Sequence, residues 1–221
     1  MLTDKENFDF SRDTRYWNAF YEVNKPESMG MSLFAEFAMK WLPQGSSIVD
    51  VGCGNGRDSL FFARKGMEVV GIDASSTAID MLNKLHQHNL EFVCGDFITD
   101  KHIFCKRYDC FYSRFTIHAI SAGQQNLFLD NVFKSLNDNG LLMIEVRGIH
   151  DPKFGQGEYV ERNAYLLDGH YRRFIVMEEI LQELISKGFK IKYAEENTGF
   201  APYADENPEI IRIVAKRVKN E

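Results

Sequence analysis

VDVGCGNG, residues 49–56, joins a short apolar run to a turn made largely of glycine. The run, residues 47–51, is apolar and β-branched apart from Asp50, which is typical of a strand covered on both faces. The stretch after the glycines continues with helical spacing. A strand, a glycine turn and a helix N-terminus together let backbone N–H groups approach a ligand closely.

The spacing of the glycines narrows the class of ligand. Gly52, Gly54 and Gly56 read G-x-G-x-G, whereas the dinucleotide-binding turn reads G-x-G-x-x-G and needs a glycine where Arg57 stands. A pyrophosphate ligand is therefore disfavoured. A nucleoside with a small charged tail fits better.

The next two predicted strands end in acidic residues. Residues 67–73 end in Asp73, about 20 residues past the glycine turn, where a carboxylate accepts hydrogen bonds from ribose hydroxyls. Residues 90–94 are followed by Asp96 and Phe97. Asp96 can accept from an exocyclic adenine amine, and Phe97 can lie on the face of the ring.

With VDVGCGNG, VVGIDAS, VCGDF and a fourth strand ending in YDCFYSRF, the chain resembles the class I S-adenosylmethionine-dependent methyltransferases. The resemblance covers most of the chain. It implies an α/β, Rossmann-like doubly wound sheet of seven strands with the last strand antiparallel. It also implies helices on both faces, an N-terminal helical cover and an insertion after the fifth strand. The alternative is a doubly wound domain that binds another nucleotide.

The resemblance implies an enzyme that uses S-adenosyl-L-methionine, releases S-adenosyl-L-homocysteine and binds them at the strand ends. Asp50 and the glycines would surround the methionine part, Asp73 would hold the ribose, and Ser113 or Arg114 would lie near the sulfonium. Asp50 could instead fix the glycine turn through backbone amides, and Cys53 could simply fill the small space in it. The full predicted set is Asp50, Gly52, Cys53, Gly54, Gly56, Asp73, Ala74, Asp96, Phe97, Ser113, Arg114 and Trp17.

Length and composition limit the alternatives. A chain of 221 residues with 44% hydrophobic content fits one domain with a full core, and a net charge of −6 argues against a general nucleic-acid binder. The four cysteines lack metal-ligand spacing, which predicts free thiols in a reducing compartment and no metal. Residues 1–6 lack the features of a signal peptide and no apolar run is long enough to span a bilayer, so we expect a cytoplasmic protein without a membrane partner. The oligomeric state stays open.

Changes in the spacing of apolar residues along the chain divide this single domain into four parts. They are a helical cover (1–45), a cofactor-binding core (46–147), an acceptor-side insertion (148–176) and a C-terminal helix with a strand pair (177–221).

The insertion is where we expect the methyl acceptor. It carries arginines and histidines interleaved with tyrosines, a combination that suits a small anionic acceptor because arginine pairs bidentately with phosphate and carboxylate. A solvated basic loop balanced by neighbouring acids is the alternative. The predicted acceptor-binding residues are Tyr21, Arg147, Tyr171, Arg172 and Arg173.

A catalytic base is needed only if the acceptor carries a proton of high pKa. His118 leads because it lies just beyond the fourth strand, and His150 and His170 compete with it. A lone histidine is, however, more often a hydrogen-bonded structural residue.

Two short segments, YWNAFYEVNKPESMGMSLF and DGHYRRF, are similar to small-molecule methyltransferases of bacterial surface-glycan (capsule or polysaccharide) and phosphonate-like pathways. This implies a sugar, sugar-phosphate, phosphoramidate or carboxylate acceptor, with O-methylation favoured. Ser113-Arg114-Phe115-Thr116 replaces the [ND]-P-P-[YFW] segment of many amino-methylating enzymes. The alternatives are a tellurite-resistance or thiopurine type that methylates S, Se or Te, and a non-catalytic S-adenosylmethionine-binding subunit.

Overall fold

The larger of two β-sheets confirms the predicted topology. In the computed structural model, which describes residues 11–23 and 30–218, its strands follow the order β3-β2-β1-β4-β5-β10-β9. Neighbouring strands from β3 to β5 are parallel, and β10 runs antiparallel to both β5 and β9. The bounds are β1 Ser47–Val51, β2 Glu68–Asp73, β3 Leu90–Cys94, β4 Tyr108–Arg114, β5 Leu136–Arg147, β9 Phe189–Asn197 and β10 Ile210–Arg217.

Helices cover both faces of this sheet. Alternate residues of β1 point to opposite sides, so Ile48 packs in one buried cluster and Val49 in another. The cluster around Ile48 includes α2 (Leu33–Ala38) and α3 (Arg57–Arg64). The cluster around Val49 includes α5 (Lys101–Phe104), α6 (Ala122–Ser135) and α7 (Met177–Ser186). Between β2 and β3 runs α4, Ser76–Leu82.

A small antiparallel sheet fills the predicted insertion. Its strands are β6 (Glu158–Glu161), β7 (Ala164–Leu167) and β8 (His170–Arg173). Asp168 and Gly169 join β7 to β8, and both have the positive φ that a two-residue hairpin turn requires. The sequence analysis predicted the insertion but not these strands.

Within the N-terminal cover, which also contains α2, the first helix is α1, Ser11–Val23. It packs against α4 and β8. Asn18 Oδ1 accepts from Ser75 Oγ at 2.6 Å, and the Tyr16 ring stacks on His170 with centroids 4.5 Å apart. In this way α1 joins the core of the domain to the insertion.

Portions of two of the four predicted parts lie outside the described residues. They are residues 1–10 and 24–29 of the cover, including the start on which the signal-peptide prediction rests, and residues 219–221 at the end. No helix in the described part of the chain is both long and apolar enough to cross a membrane.

Candidate active site

A cavity of about 330 Å³ lies over the carboxyl ends of β1, β2 and β4. The glycine turn forms its floor, the segment after β4 one wall, and α1 its cover. Ligands bind outside the carboxyl ends of parallel strands in open α/β sheets, so this is the expected place for the predicted nucleoside.

The glycine turn has no room for side chains. Gly52 and Gly54 have φ of +65° and +54°. A Cβ on Gly52 would lie 2.5 Å from Cγ2 of Thr116, and one on Gly54 would lie 2.2 Å from the hydroxyl of Tyr21. Thr116 is itself fixed, because its Oγ1 donates to the Val51 carbonyl at 2.8 Å. The turn therefore needs glycine for both backbone conformation and close approach.

Asp73 ties the end of β2 to this turn. One carboxylate oxygen accepts the Gly54 N–H and the other accepts the Ser75 N–H, each at 2.8 Å. Removal from water raises the pKa of Asp73, while the two amides oppose that rise. A carboxylate has about four acceptor positions, so Asp73 can still accept bonds from ribose hydroxyls.

Asp50 does not bond the turn amides; Asp73 takes that role. Asp50 is 3% exposed and accepts a 2.5 Å bond from Ser59 Oγ. Burial, with the negative charge of Asp58 as the next cause, raises the pKa of Asp50 to about 7. Asp58 itself accepts from the Ser32 N–H and from the hydroxyls of Ser32 and Tyr112. The pKa of the buried Asp50 thus lies near neutral pH, and a cation bound beside it would favour the ionised carboxylate.

A second cavity, of about 370 Å³, adjoins the first at the ends of β2 and β3. Ala74, Asp96, Phe97 and Trp17 are among its lining residues, which matches the predicted adenine site. The Asp96 carboxylate accepts from the Ile98 N–H at 2.9 Å and from the Thr99 hydroxyl at 2.7 Å.

The two predicted sulfonium neighbours, Ser113 and Arg114, are the last residues of β4 and differ in their surroundings. Ser113 is fully buried, and its Oγ has no hydrogen-bond partner among the described residues. Arg114 lines the first cavity and its Nε donates to buried Glu145 at 2.9 Å. The Arg114 guanidinium lies 4.5 Å from the ring centre of Phe115, whose φ of +55° is rare for an aromatic residue.

The cover presents three aromatic residues to the first cavity, and Trp17 and Tyr21 are two of them, with Phe20 the third. The rings of Trp17 and Tyr21 lie 6.0 Å apart and nearly parallel. Burial, with Asp73 as the next cause, raises the pKa of Tyr21, so its hydroxyl is a neutral donor beside Gly54.

Cys53 is buried in the turn and its N–H donates to the Ile72 carbonyl at 3.0 Å. Burial raises the pKa of its thiol well above the usual range. The third glycine, Gly56, begins α3 with φ of +71° and faces Leu82.

Two of the three predicted bases come together and the third lies apart. His118 and His170 are buried, and Arg172 is among the charges that lower the pKa of each. Burial is the first cause in both, and the pKa of His170 falls to about 4. His150 is exposed and its Nδ1 lies 3.0 Å from a carboxylate oxygen of Glu196.

The predicted acceptor-binding residues in and just before the insertion differ in whether they lie near the predicted bases. Arg147 pairs with Asp151, and Arg172 Nη2 donates to Nε2 of His170 at 2.8 Å. By contrast, the Tyr171 hydroxyl donates to Glu161 at 2.6 Å, away from the cavity lining.

Arg173 is held by neighbouring elements. Its guanidinium donates to the Ile120 carbonyl at 2.9 Å and to Gln125 Oε1 at 2.6 Å. These bonds attach β8 to the segment before α6 and to α6 itself. They leave Arg173 fewer free donors for a ligand than Arg172 has.

One grouping in the described residues has metal-ligand character although sequence spacing gave no sign of it. Ligand atoms of His150, Glu196 and Glu209 lie within 4.8 Å of one another. They come from the loop after β5, the end of β9 and the segment before β10.

Several functional positions were missed by sequence reasoning. Thr116 bonds the end of β1 beside the glycine turn, and Ser59 bonds Asp50. Asn18 bonds α1 to Ser75, and Glu145 bonds Arg114. Only Asp58 had a local signal, since an acid in the first turn of a helix is a common feature at a ligand-binding N-terminus.

Comparisons with known proteins agree with this geometry. Residues 48–140 match the family described as "Methyltransferase domain". Over these residues the chain belongs to the methyltransferases. Its fold is that of a solved S-adenosylmethionine-dependent methyltransferase from Methanosarcina mazei, at a TM-score of 0.72 and 17% identity over 87% of this chain and all of that one.

Two curated relatives of this chain differ in their named reactions. A carboxy-S-adenosyl-L-methionine synthase of Campylobacter jejuni subsp. doylei is 24% identical over 66% of this chain and 60% of that protein. A tRNA N(3)-methylcytidine methyltransferase of Drosophila melanogaster is 26% identical over 80% of this chain and 61% of that protein. The chain therefore spans about 60% of the length of these two relatives.

Proposed function

We propose that this chain transfers the methyl group of S-adenosylmethionine to a small anionic acceptor. The observation that carries the proposal is a single cavity in which the glycine turn and Asp73 meet Arg114 and Phe115. The first pair suits a nucleoside, and the second pair leads to the basic residues of the insertion. Both halves of a transfer reaction then meet between β1 and β4.

The residues present fit the methyl donor. Asp73 retains acceptor positions for the ribose, and Asp50 is a buried acid that the methionine ammonium would ionise. The backbone turn that no Cβ could enter provides the close surface a ligand needs. Trp17 and Tyr21 present aromatic faces, which attract a cation such as the sulfonium.

When bound, S-adenosylmethionine supplies a carbon already activated by positive sulfur, so the protein mainly aligns the reactants and excludes water. The cover contributes to both tasks, because α1 reaches from α4 to β8. An acceptor that enters beneath this helix is small. A polymer is also disfavoured by the net charge of −6.

O-methylation remains the favoured reaction. An anionic oxygen needs no base, and a hydroxyl would need one. His118 is neutral at physiological pH because burial and neighbouring arginines lower its pKa, and the same shift makes it a weak base. A sugar-phosphate, phosphoramidate or carboxylate acceptor from a surface-glycan pathway fits this chemistry, and a reducing compartment fits the four free cysteines.

A panel assay tests the proposal. The whole chain is incubated with S-adenosylmethionine and phosphorylated, phosphonylated, carboxylated and thiol metabolites, and release of S-adenosylhomocysteine is measured. We expect turnover with an anionic hydroxyl-bearing compound. Turnover only with thiols, or with selenite or tellurite, would identify the soft-atom type instead. Tight binding of S-adenosylhomocysteine without any turnover would favour the non-catalytic subunit.

A further inference from the structure

Four basic side chains, which we call the basic cluster, lie near one another where the 3₁₀ turn after β4 (Ile117–Ala119) packs against β8. They are His118 in the 3₁₀ turn after β4, Arg147 at the end of β5, and His170 and Arg172 on β8. The Phe115 ring centre is 5.7 Å from that of His118 and 5.6 Å from the Arg147 guanidinium. The 3₁₀ turn packs against β8. The cluster thus lies where the small sheet meets the large one.

Three nitrogen atoms of this cluster are buried without a hydrogen-bond partner among the described residues. They are Nδ1 of His118, Nδ1 of His170 and Nε of Arg172; His118 and His170 are only 6% and 5% exposed. Almost all buried polar atoms in folded proteins are paired, because an unpaired one is costly. A guanidinium N–H can only donate. Arg172 therefore lacks an acceptor that a ligand can supply.

The charges around the cluster also call for an anion. Arg147 has a carboxylate partner in Asp151, whereas Arg172 makes no ion pair with any described carboxylate. Its Nη2 donates instead to the uncharged Nε2 of His170. The charged and titratable groups that act on His118 are Arg147, His170, Arg172 and Arg173. Those that act on His170 are Arg172, Asp168 and Lys153. The Tyr16 ring stacks on His170.

We propose that the basic cluster binds a tetrahedral dianion, the phosphoryl or phosphonyl group of the acceptor, an inference that rests on the proposed function. Such a group presents several oxygens in different directions. It can therefore accept from Arg172 Nε on β8 and from His118 on the 3₁₀ turn together. A carboxylate offers two oxygens in one plane and a single charge, so it satisfies the cluster less well.

Binding of this dianion takes up a proton. In the free protein burial and neighbouring cations lower the pKa of both imidazoles, to about 4 for His170, so they are neutral at pH 7. An adjacent dianion favours the charged imidazole and raises its pKa. The proton taken up turns the second histidine nitrogen into a donor.

The position of Phe115 separates recognition from reaction. Its ring contacts the basic cluster through His118 and Arg147, and the cofactor cavity through Arg114. The dianion on the cluster is therefore the group by which the acceptor is held. The atom that receives the methyl group lies on the cavity side of Phe115.

Calorimetric titration of the whole chain tests the site with inorganic ions. Sulfate, which carries two charges and no titratable proton near neutral pH, is compared with phosphate and acetate at pH 7 in two buffers of different ionisation heat. We expect sulfate and phosphate to bind at least tenfold more tightly than acetate. The sulfate heat should differ between the buffers in the sense of proton uptake by the protein.

Variants locate the binding. Arg172→Ala should weaken sulfate binding at least about tenfold, the usual consequence of removing a charged hydrogen-bond donor. Arg172→Lys keeps the charge and serves as a second variant in case Arg172→Ala does not fold. Its affinity for sulfate should lie between that of Arg172→Ala and that of the unchanged protein. His118→Asn should reduce the proton uptake more than the affinity. Arg162→Ala is the matched control, since Arg162 lies on the same insertion but is exposed and paired with Glu179.

Several results would overturn the inference. They are absence of sulfate binding, equal affinity for acetate, or sulfate binding unchanged in both Arg172 variants. Parallel titrations with S-adenosylhomocysteine keep the two proposals apart. If S-adenosylhomocysteine binds and sulfate does not, only the anion site is wrong; if S-adenosylhomocysteine fails to bind the unchanged protein, the proposed function is wrong.

Discussion

The cofactor side and the acceptor side of this domain differ in how their polar groups are satisfied. At the glycine turn, Asp73 and Thr116 bond to backbone groups of adjacent segments. In the basic cluster, nitrogens of His118 and Arg172 are buried and unpaired. A turn that positions one constant ligand can be completed by the protein itself. A site that recognises a second molecule has to keep donors for it.

The predictions below test this difference. The first three alter the completed side and should change cofactor affinity or folding stability. The fourth alters the contact by which the cover reaches the acceptor side.

Gly52→Ala should have the largest effect. The new Cβ would lie 2.5 Å from Thr116 Cγ2, and Thr116 can move only by breaking its bond to Val51. Overpacking of this kind costs about 2–3 kcal/mol, so we expect affinity for S-adenosylhomocysteine to fall roughly 30- to 150-fold by calorimetry. Gly45→Ala is the control, because Gly45 also has positive φ but has nothing within 4 Å of the new Cβ. Equal effects of the two substitutions would mean that backbone strain alone is responsible.

Asp73→Ala should weaken S-adenosylhomocysteine binding by about 1–3 kcal/mol, because the Gly54 and Ser75 amides and the ribose hydroxyls lose their acceptor. Asp80→Ala on the exposed surface of α4 is the control for loss of a negative charge nearby. An unchanged affinity in Asp73→Ala would remove Asp73 from the ribose role.

Asp50→Asn should stabilise the ligand-free protein by about 1–2 kcal/mol at pH 8 and weaken its binding of S-adenosylmethionine. The pKa of Asp50 is about 7 in the folded protein against 3.8 for the ordinary group, so the folded state holds the proton more tightly. Stability from this group is therefore present at low pH and is lost as pH rises from about 3.8 through 7. Thermal unfolding of both proteins between pH 5 and 8 would show curves that diverge with rising pH. Parallel curves would show that Asp50 does not titrate in this range.

Tyr16→Leu should have the smallest effect. It removes the stack on His170 but keeps an apolar side chain, a loss of about 0.5–1.5 kcal/mol. We expect sulfate binding to weaken by a few-fold to about tenfold while S-adenosylhomocysteine affinity stays within twofold. Ala19→Ser, at an exposed position of α1, provides the comparison. A loss of S-adenosylhomocysteine affinity as large as that of sulfate would mean that Tyr16 positions the whole cover.

The sheet and the grouping of these residues at its carboxyl edge were predictable because their signals are local. The glycine turn, the acid that ends β2 and the acid-aromatic pair after β3 each lie within a few residues of a strand end, and parallel strands bring such ends to one edge. What the sequence did not show is how the acids divide their tasks. Asp73, not Asp50, bonds the turn amide, a matter of side-chain direction across neighbouring strands.

On the acceptor side, the sequence showed only that arginines, histidines and tyrosines are concentrated in the insertion. The DG turn between β7 and β8 is a hairpin signal that could have revealed the small sheet. Its pairing with the 3₁₀ turn could not be foreseen, because His118 and Arg172 are far apart in the chain and meet only through tertiary packing. Alternation along β8 then decides the roles of neighbours. Arg172 faces the basic cluster, whereas Arg173 bonds Ile120 and Gln125.

A crystal structure of the chain with S-adenosylhomocysteine tests the central claim most directly. The account predicts ribose hydroxyls within hydrogen-bond distance of Asp73, the adenine beside Asp96 and Phe97, and the sulfur near Arg114 and open towards Phe115. Density for the ligand anywhere other than over the ends of β1, β2, β3 and β4 would contradict it.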